Sequence, residues 1–155
     1  MENPFQETLF QRNRAEPCTV VIFGATGDLT HRKLIPAFYN IAACGDLPPQ
    51  FKVVGFARRD KPDDVFRAEL EAANRKHSRQ GHNDELWQTF AHGIHYHRSE
   101  FQDLEGYKSL KVLLDQFDKD RGTPANRLFY LASAPEFFEP IMQLLREAGL
   151  NEGAD

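Results

Sequence analysis

The stretch VVIFGATGDLTHRKL, residues 20–34, decides the fold. Its first half, entered from Thr19, is a continuous β-branched and aromatic run. Such a run suits a strand buried on both faces of a parallel sheet. The run stops at Gly24, and beyond Gly24-Ala25-Thr26-Gly27 the apolar period becomes helical. Leu34, Phe38, Ile41 and Ala42 recur at helix spacing, with Ile35 and Tyr39 widening the stripe. Gly45 fits a C-cap and Pro48-Pro49 stop continuation. Pro36 requires the regular helix to begin near Lys33, because first-turn amides have no intrahelical partner to lose.

A glycine pair between a buried strand and a helix has a use. Gly24 permits a tight turn, and Gly27 lets backbone approach a ligand with no Cβ in the way. The helix that follows points free N–H groups and its positive dipole end at the same spot, which makes an anion site suited to a pyrophosphate. Thr26 adds a hydroxyl. The spacing is G-x-x-G and not G-x-G-x-x-G, so an ordinary tight βα turn stays open as a reading. Asp28 would repel a diphosphate, so it is expected to turn away and cap the helix or pin the loop. His31, Arg32 and Lys33 oppose the dipole, which is sensible beside an anionic ligand and equally open to reading as a solvated basic face.

Outward from this junction the pattern repeats. A second strand is expected at Phe51–Ala57, then a charged helix at Asp63–Arg79 with Val65, Leu70 and Ala73 as its apolar stripe. Gly81–Asn83 breaks it, and Asp84 could cap a short helix to Phe90. Ile94–His97 alternates as a weak third strand, Leu104–Phe117 is an amphipathic helix, and Gly122–Pro124 a turn. RLFYLA at Arg127–Ala132 is a strong fourth strand, followed by a helix at Phe137–Ala148. Strands alternating with helices predict a Rossmann-like, doubly wound parallel sheet. Residues 1–17 read as a flexible polar arm and 18–155 as one dinucleotide-binding domain, incomplete at its C-terminal end because an open sheet would want another strand.

The second strand ends in Arg58-Arg59. In a dinucleotide-binding fold that position faces the adenosine ribose, where an acid accepts from the 2′-hydroxyl of NAD and an arginine meets the 2′-phosphate of NADP. Arg58 therefore predicts NADP, with Arg59 read as a surface charge. His95 and His97 share a strand face, near His92, but lack the Cys or HExxH partners of a metal site. No nucleophile elbow or carboxylate pair stands out.

Composition removes other classes. The 155 residues carry 19 Lys+Arg against 23 Asp+Glu, net −4, so bulk attraction to nucleic acid or anionic lipid is not expected. The longest apolar run is strand-sized, which leaves no candidate membrane span. The first 17 residues have no apolar signal core, and Cys18 and Cys44 lie far apart, which together suggest a reduced cytoplasmic protein.

The G-A-[ST]-G-D-L-x-x-[RK]-K pattern of residues 24–33 closely resembles the cofactor loop of glucose-6-phosphate dehydrogenases. Val54-Gly55-Phe56-Ala57-Arg58 resembles that family's second strand, and Asn126–Ala132 with Ser133-Ala134-Pro135 its fourth. The resemblance covers about residues 18–150. It implies NADP as cofactor, held by Gly24, Ala25, Thr26, Gly27, Asp28 and Leu29 around the pyrophosphate and nicotinamide riboside. It further implies Lys33 as a nearby base and Arg58 on the 2′-phosphate. Ala132–Pro135 would line the nicotinamide side, while Phe138 stands where some relatives have tyrosine. The family's E-K-P-F-G and R-I-D-H-Y-x-G-K segments, which carry substrate lysines and the catalytic histidine, have no counterpart. The expectation is the NADP-binding portion of an enzyme oxidising glucose 6-phosphate, itself a homo-oligomer, with the fragment inactive alone. The alternative is a free-standing, non-catalytic NADP-binding or regulatory protein.

Overall fold

Side-chain alternation along β1 (Thr19–Phe23) sorts the interior into two cores, because successive residues of a strand point to opposite faces. The computed structural model describes residues 15–122 and 125–152. Val20 and Ile22 face one core, with Ile35 and Tyr39 from α1 (Ile35–Ala43), Phe66 and Leu70 from α2 (Asp63–His77), and Trp87 and Phe90 from α3 (Asp84–Ala91). Val21 and Phe23 face the other, with Tyr107, Leu110 and Leu114 from α4 (Leu104–Arg121) and Ile141 and Leu145 from α5 (Phe138–Glu147). All five residues of β1 are buried, as the unbroken apolar run requires.

The strands β2 (Lys52–Ala57), β3 (Ile94–Arg98) and β4 (Arg127–Leu131) complete a parallel sheet of order β3-β2-β1-β4. The chain winds outward from β1 through β2 to β3, then crosses back to place β4 on the other side of β1. That reversal is the topological switch point, and it opens a crevice at the carboxyl ends of β1 and β4. This is the doubly wound α/β fold expected. β4 lies at an edge, and Leu128 and Tyr130, paired with Val20 and Ile22, are 55% and 37% exposed on the α1 face.

Several local expectations are corrected. Regular helix α1 starts at Ile35, not Lys33, because residues 28–34 are already helical and contain a π-turn at Thr30–Leu34. The Ile35 N–H reaches back to the Thr30 carbonyl, and the wider turn seats Pro36, which has no N–H to give. On α2 the buried stripe is Phe66, Leu70 and Asn74, and Val65 is 43% exposed. Phe66 wins that face because Gly55 leaves room for its ring: a Cβ on Gly55 would stand 2.6 Å from Phe66 Cζ. Asn83, not Asp84, caps α3, accepting from Leu86 N at 2.9 Å. α4 runs on to Arg121 and ends at Gly122, which takes the left-handed φ of +64°. Most of the expected arm (residues 1–14) lies outside the described residues, as do Thr123 and Pro124 of the expected turn and residues 153–155. Among the described residues no helix is long and apolar enough to cross a membrane.

Candidate functional site

The carboxyl ends of all four strands converge on one cavity of ≈ 460 Å³. β1 contributes Gly24, Thr26 and Gly27, β2 contributes Ala57 and Arg58, and β4 is followed by Ala132–Ala134. The fourth contributor, Ser99–Gln102 after β3, carries no motif of its own. Its signal was positional: in an open α/β sheet every strand's carboxyl end borders the crevice.

Each glycine of the turn has a separate reason. Gly24 takes φ +85°, and a Cβ there would lie 2.9 Å from the Ala132 carbonyl oxygen, so β4 itself requires a glycine. Its N–H donates to the Phe56 carbonyl at 2.9 Å, which ties the turn to β2 as well. Gly27 is different. A Cβ there meets the Gly24 carbonyl oxygen, at 3.1 Å, and, chain neighbours aside, no other atom among the described residues within 4 Å. Folding alone asks little of Gly27, and the open space beside it belongs to the cavity. This is the geometry of a cradle for an anionic backbone.

The remaining expected residues divide. Ala25 is fully buried in the core beneath Gly55 and gives the turn its backbone only. Asp28 turns outward as expected but caps nothing: it is already helical, and its carboxylate pairs with Arg32 one turn on, at 3.0 Å. His31 folds back on the Gly27 carbonyl, Nδ1 to O 2.9 Å, so of the basic trio Lys33 is the exposed cation with no ion pair among the described residues. Leu29 is 42% exposed and, like Asp28 and Lys33, does not line the cavity.

Arg58 lines the wall, with its side chain exposed and in no ion pair among the described residues. Arg59 does not line it; its carbonyl accepts from the Tyr96 hydroxyl. Phe101 and Phe137, 5.2 Å apart between ring centres, form the apolar wall, and Phe101 stacks on Phe56. It is Phe137, not Phe138, that reaches the cavity. Ser133 Oγ, on the β4 side, is sealed from solvent with no hydrogen-bond partner among the described residues.

The histidines are otherwise engaged. His95 contacts Asp63 (Nδ1 to Oδ2 3.4 Å) and packs on Phe117, whereas His97 Nε2 donates to the Gly106 carbonyl at 2.9 Å. Burial lowers both ring pKa values, and for His95 the Lys52 charge adds to it. A larger cavity, ≈ 580 Å³, opens at the amino-terminal edge of the sheet between Leu47, Phe90 and Arg121. It has no glycine turn over a helix start, so size does not select the site.

Residues 21–155 match the family model described as glucose-6-phosphate dehydrogenase, NAD binding domain. The chain is 45% identical over 150 residues to a glucose-6-phosphate 1-dehydrogenase of Chlamydia pneumoniae, covering 95% of this chain and 29% of that protein. It is 36% identical over 138 residues to the Bacillus subtilis enzyme of that name, covering 89% and 27%. A solved glucose-6-phosphate dehydrogenase in complex with its substrate glucose-6-phosphate superposes with TM-score 0.79 at 30% identity, over 86% of this chain and 28% of the other. The chain thus spans under a third of the length of these relatives.

Proposed function

Since the chain belongs to the glucose-6-phosphate dehydrogenase family, as its N-terminal NAD-binding domain, we propose that it holds NADP for an enzyme that oxidises glucose 6-phosphate to 6-phosphogluconolactone. The bound nicotinamide would supply the hydride acceptor. The observation that carries the NADP reading is Arg58, a cation with no ion pair among the described residues in the wall that the Gly24–Gly27 cradle also borders. Gly27 offers the close approach a pyrophosphate needs, Thr26 a hydroxyl, and the helix beyond it the positive end of a dipole. Leu29 and Lys33, on the exposed turns that follow, complete the proposed contact set. Asp28 is drawn off by Arg32, which keeps its charge from the phosphates.

On the other side, Ser133 Oγ is a buried polar atom still owing a hydrogen bond, and Ala132 and Ala134 flank it. These suit the polar edge of a nicotinamide, with Phe101 and Phe137 shielding the opposite wall from water. Glucose 6-phosphate, the base that takes its C1-hydroxyl proton, and the contacts of a homo-oligomer are assigned to the rest of the enzyme, in the cytoplasm. The pathway is the pentose phosphate route.

Calorimetric titration of the chain with NADP and NAD tests the reading. One NADP per chain is expected, bound roughly tenfold or more tighter than NAD. Equal affinities would overturn the NADP assignment, and binding of neither would overturn the site. NADPH absorbance with glucose 6-phosphate added should stay flat, and turnover by the chain alone would show that the base lies within it.

A further inference from the structure

On the α1 face of the sheet, α2 and the turn into α3 bring Glu71, Arg75, His82 and Asp84 together. His82 Nε2 faces Glu71 Oε1 at 3.3 Å and Asp84 Oδ1 at 3.4 Å, and one ligand atom from each of the three residues lies within 4.8 Å of the others. The His82 side chain is only 6% exposed, and Nε2 is sealed from solvent without a hydrogen bond. Its ring is held in place, stacked on Tyr39 with an interplanar angle of 9° and 5.8 Å from Trp87. A tetrahedral zinc centre with bonds near 2.0–2.1 Å has donor-to-donor edges of about 3.3 Å. Two of the three edges already have that length.

The third edge is wedged by a cation. Arg75 Nη2 donates to Glu71 Oε1 at 3.0 Å and to Asp84 Oδ1 at 2.6 Å. One guanidinium leaves the two carboxylates with one negative charge in excess, whereas a divalent ion would balance them beside a neutral imidazole. Arg75 is half exposed and can leave for water at little cost. The ring's other nitrogen, Nδ1, lies 3.1 Å from the side-chain amide of the fully buried Asn74, whose Oδ1 has no partner among the described residues. Turning that amide over presents Oδ1 to an Nδ1–H, the usual outer contact of a metal-bound histidine. With the imidazole proton on Nδ1, the Nε2 lone pair faces the carboxylates.

We propose that Glu71, His82 and Asp84 form an exchangeable site for a zinc-class divalent cation, which displaces Arg75 and clamps α2 to the turn leading into α3. Trp87, the one tryptophan of the chain, reports on it. The test is titration of the whole chain with Zn²⁺ by calorimetry and with Co²⁺ by Trp87 quenching and visible absorption. One ion per chain is expected, with the intense bands of tetrahedral cobalt. Glu71→Gln and Asp84→Asn, both at accessible positions and checked for native circular dichroism, should each weaken binding roughly tenfold or more. Arg75→Gln should tighten it by about tenfold, because the internal competitor is gone. No saturable binding below about 100 μM, or wild-type affinity in both carboxamide variants, would overturn the site. Unchanged affinity in Arg75→Gln would overturn the exchange.

Discussion

At the residue scale the proposed cofactor site separates what the fold needs from what the ligand would need. Gly24 has a left-handed φ, and a Cβ there would stand 2.9 Å from the Ala132 carbonyl oxygen, so Gly24→Ala should cost about 1–3 kcal/mol of stability, read as a lower Tm. Gly27 has no left-handed φ, and a Cβ there meets the Gly24 carbonyl oxygen at 3.1 Å, a contact that a small shift relieves. Gly27→Val should keep a native circular dichroism spectrum and abolish NADP binding in calorimetry; wild-type affinity in the folded variant would mean the loop is only a turn. Arg58→Ala should weaken NADP by roughly ten- to a hundredfold and leave NAD nearly unchanged, the loss of one charge-assisted phosphate contact. Arg59→Ala should do less, since Arg58 lines the cavity and Arg59 does not. Paired dissociation constants for each variant decide between reading the phosphate and supporting the fold.

At the element scale, β3 and α3 carry the sharpest expectations. His95 and His97 sit on β3 with pKa values lowered chiefly by burial, so the folded chain holds them neutral where the unfolded chain would protonate them. The unfolded state then binds more protons below about pH 6.5, and stability present above that pH is lost as pH falls toward the depressed folded values. Thermal melts from pH 8 to pH 5 should show this fall, and His97→Asn should flatten it. For α3, Asn83→Ala removes the side-chain cap on Leu86 N and should cost about 1 kcal/mol, a Tm drop of ~2–4 °C. The Asn83 backbone N–H keeps its bond to the Tyr39 hydroxyl, so the turn itself should persist.

Across the whole molecule, β4 is an edge strand of the sheet among the described residues, and Leu128 and Tyr130 on it are exposed. Such an edge invites pairing with another chain. Sedimentation velocity should show association of this 155-residue chain that grows with concentration, and Leu128→Lys with Tyr130→Lys should suppress it without loss of helix signal. Association unchanged by the lysines would place the contact elsewhere.

Local pattern was enough for the parallel sheet, its four strands and the turn at Gly24–Gly27, because buried runs and glycine turns are properties of neighbouring residues. That the residue just past β2, Arg58, lines the cavity was legible too, since the carboxyl end of a strand borders the crevice. What local pattern could not supply was competition between distant residues. Phe66 takes the α2 face from Val65 because Gly55, on another strand, leaves space for its ring. Asp28 abandons capping because Arg32 lies one turn away once the helix begins early. Ser99–Gln102 and Phe137 become walls of the cavity only when four strand ends meet. Periodicity belongs to the chain, whereas occupancy of shared space belongs to the folded molecule, and only tertiary structure decides it.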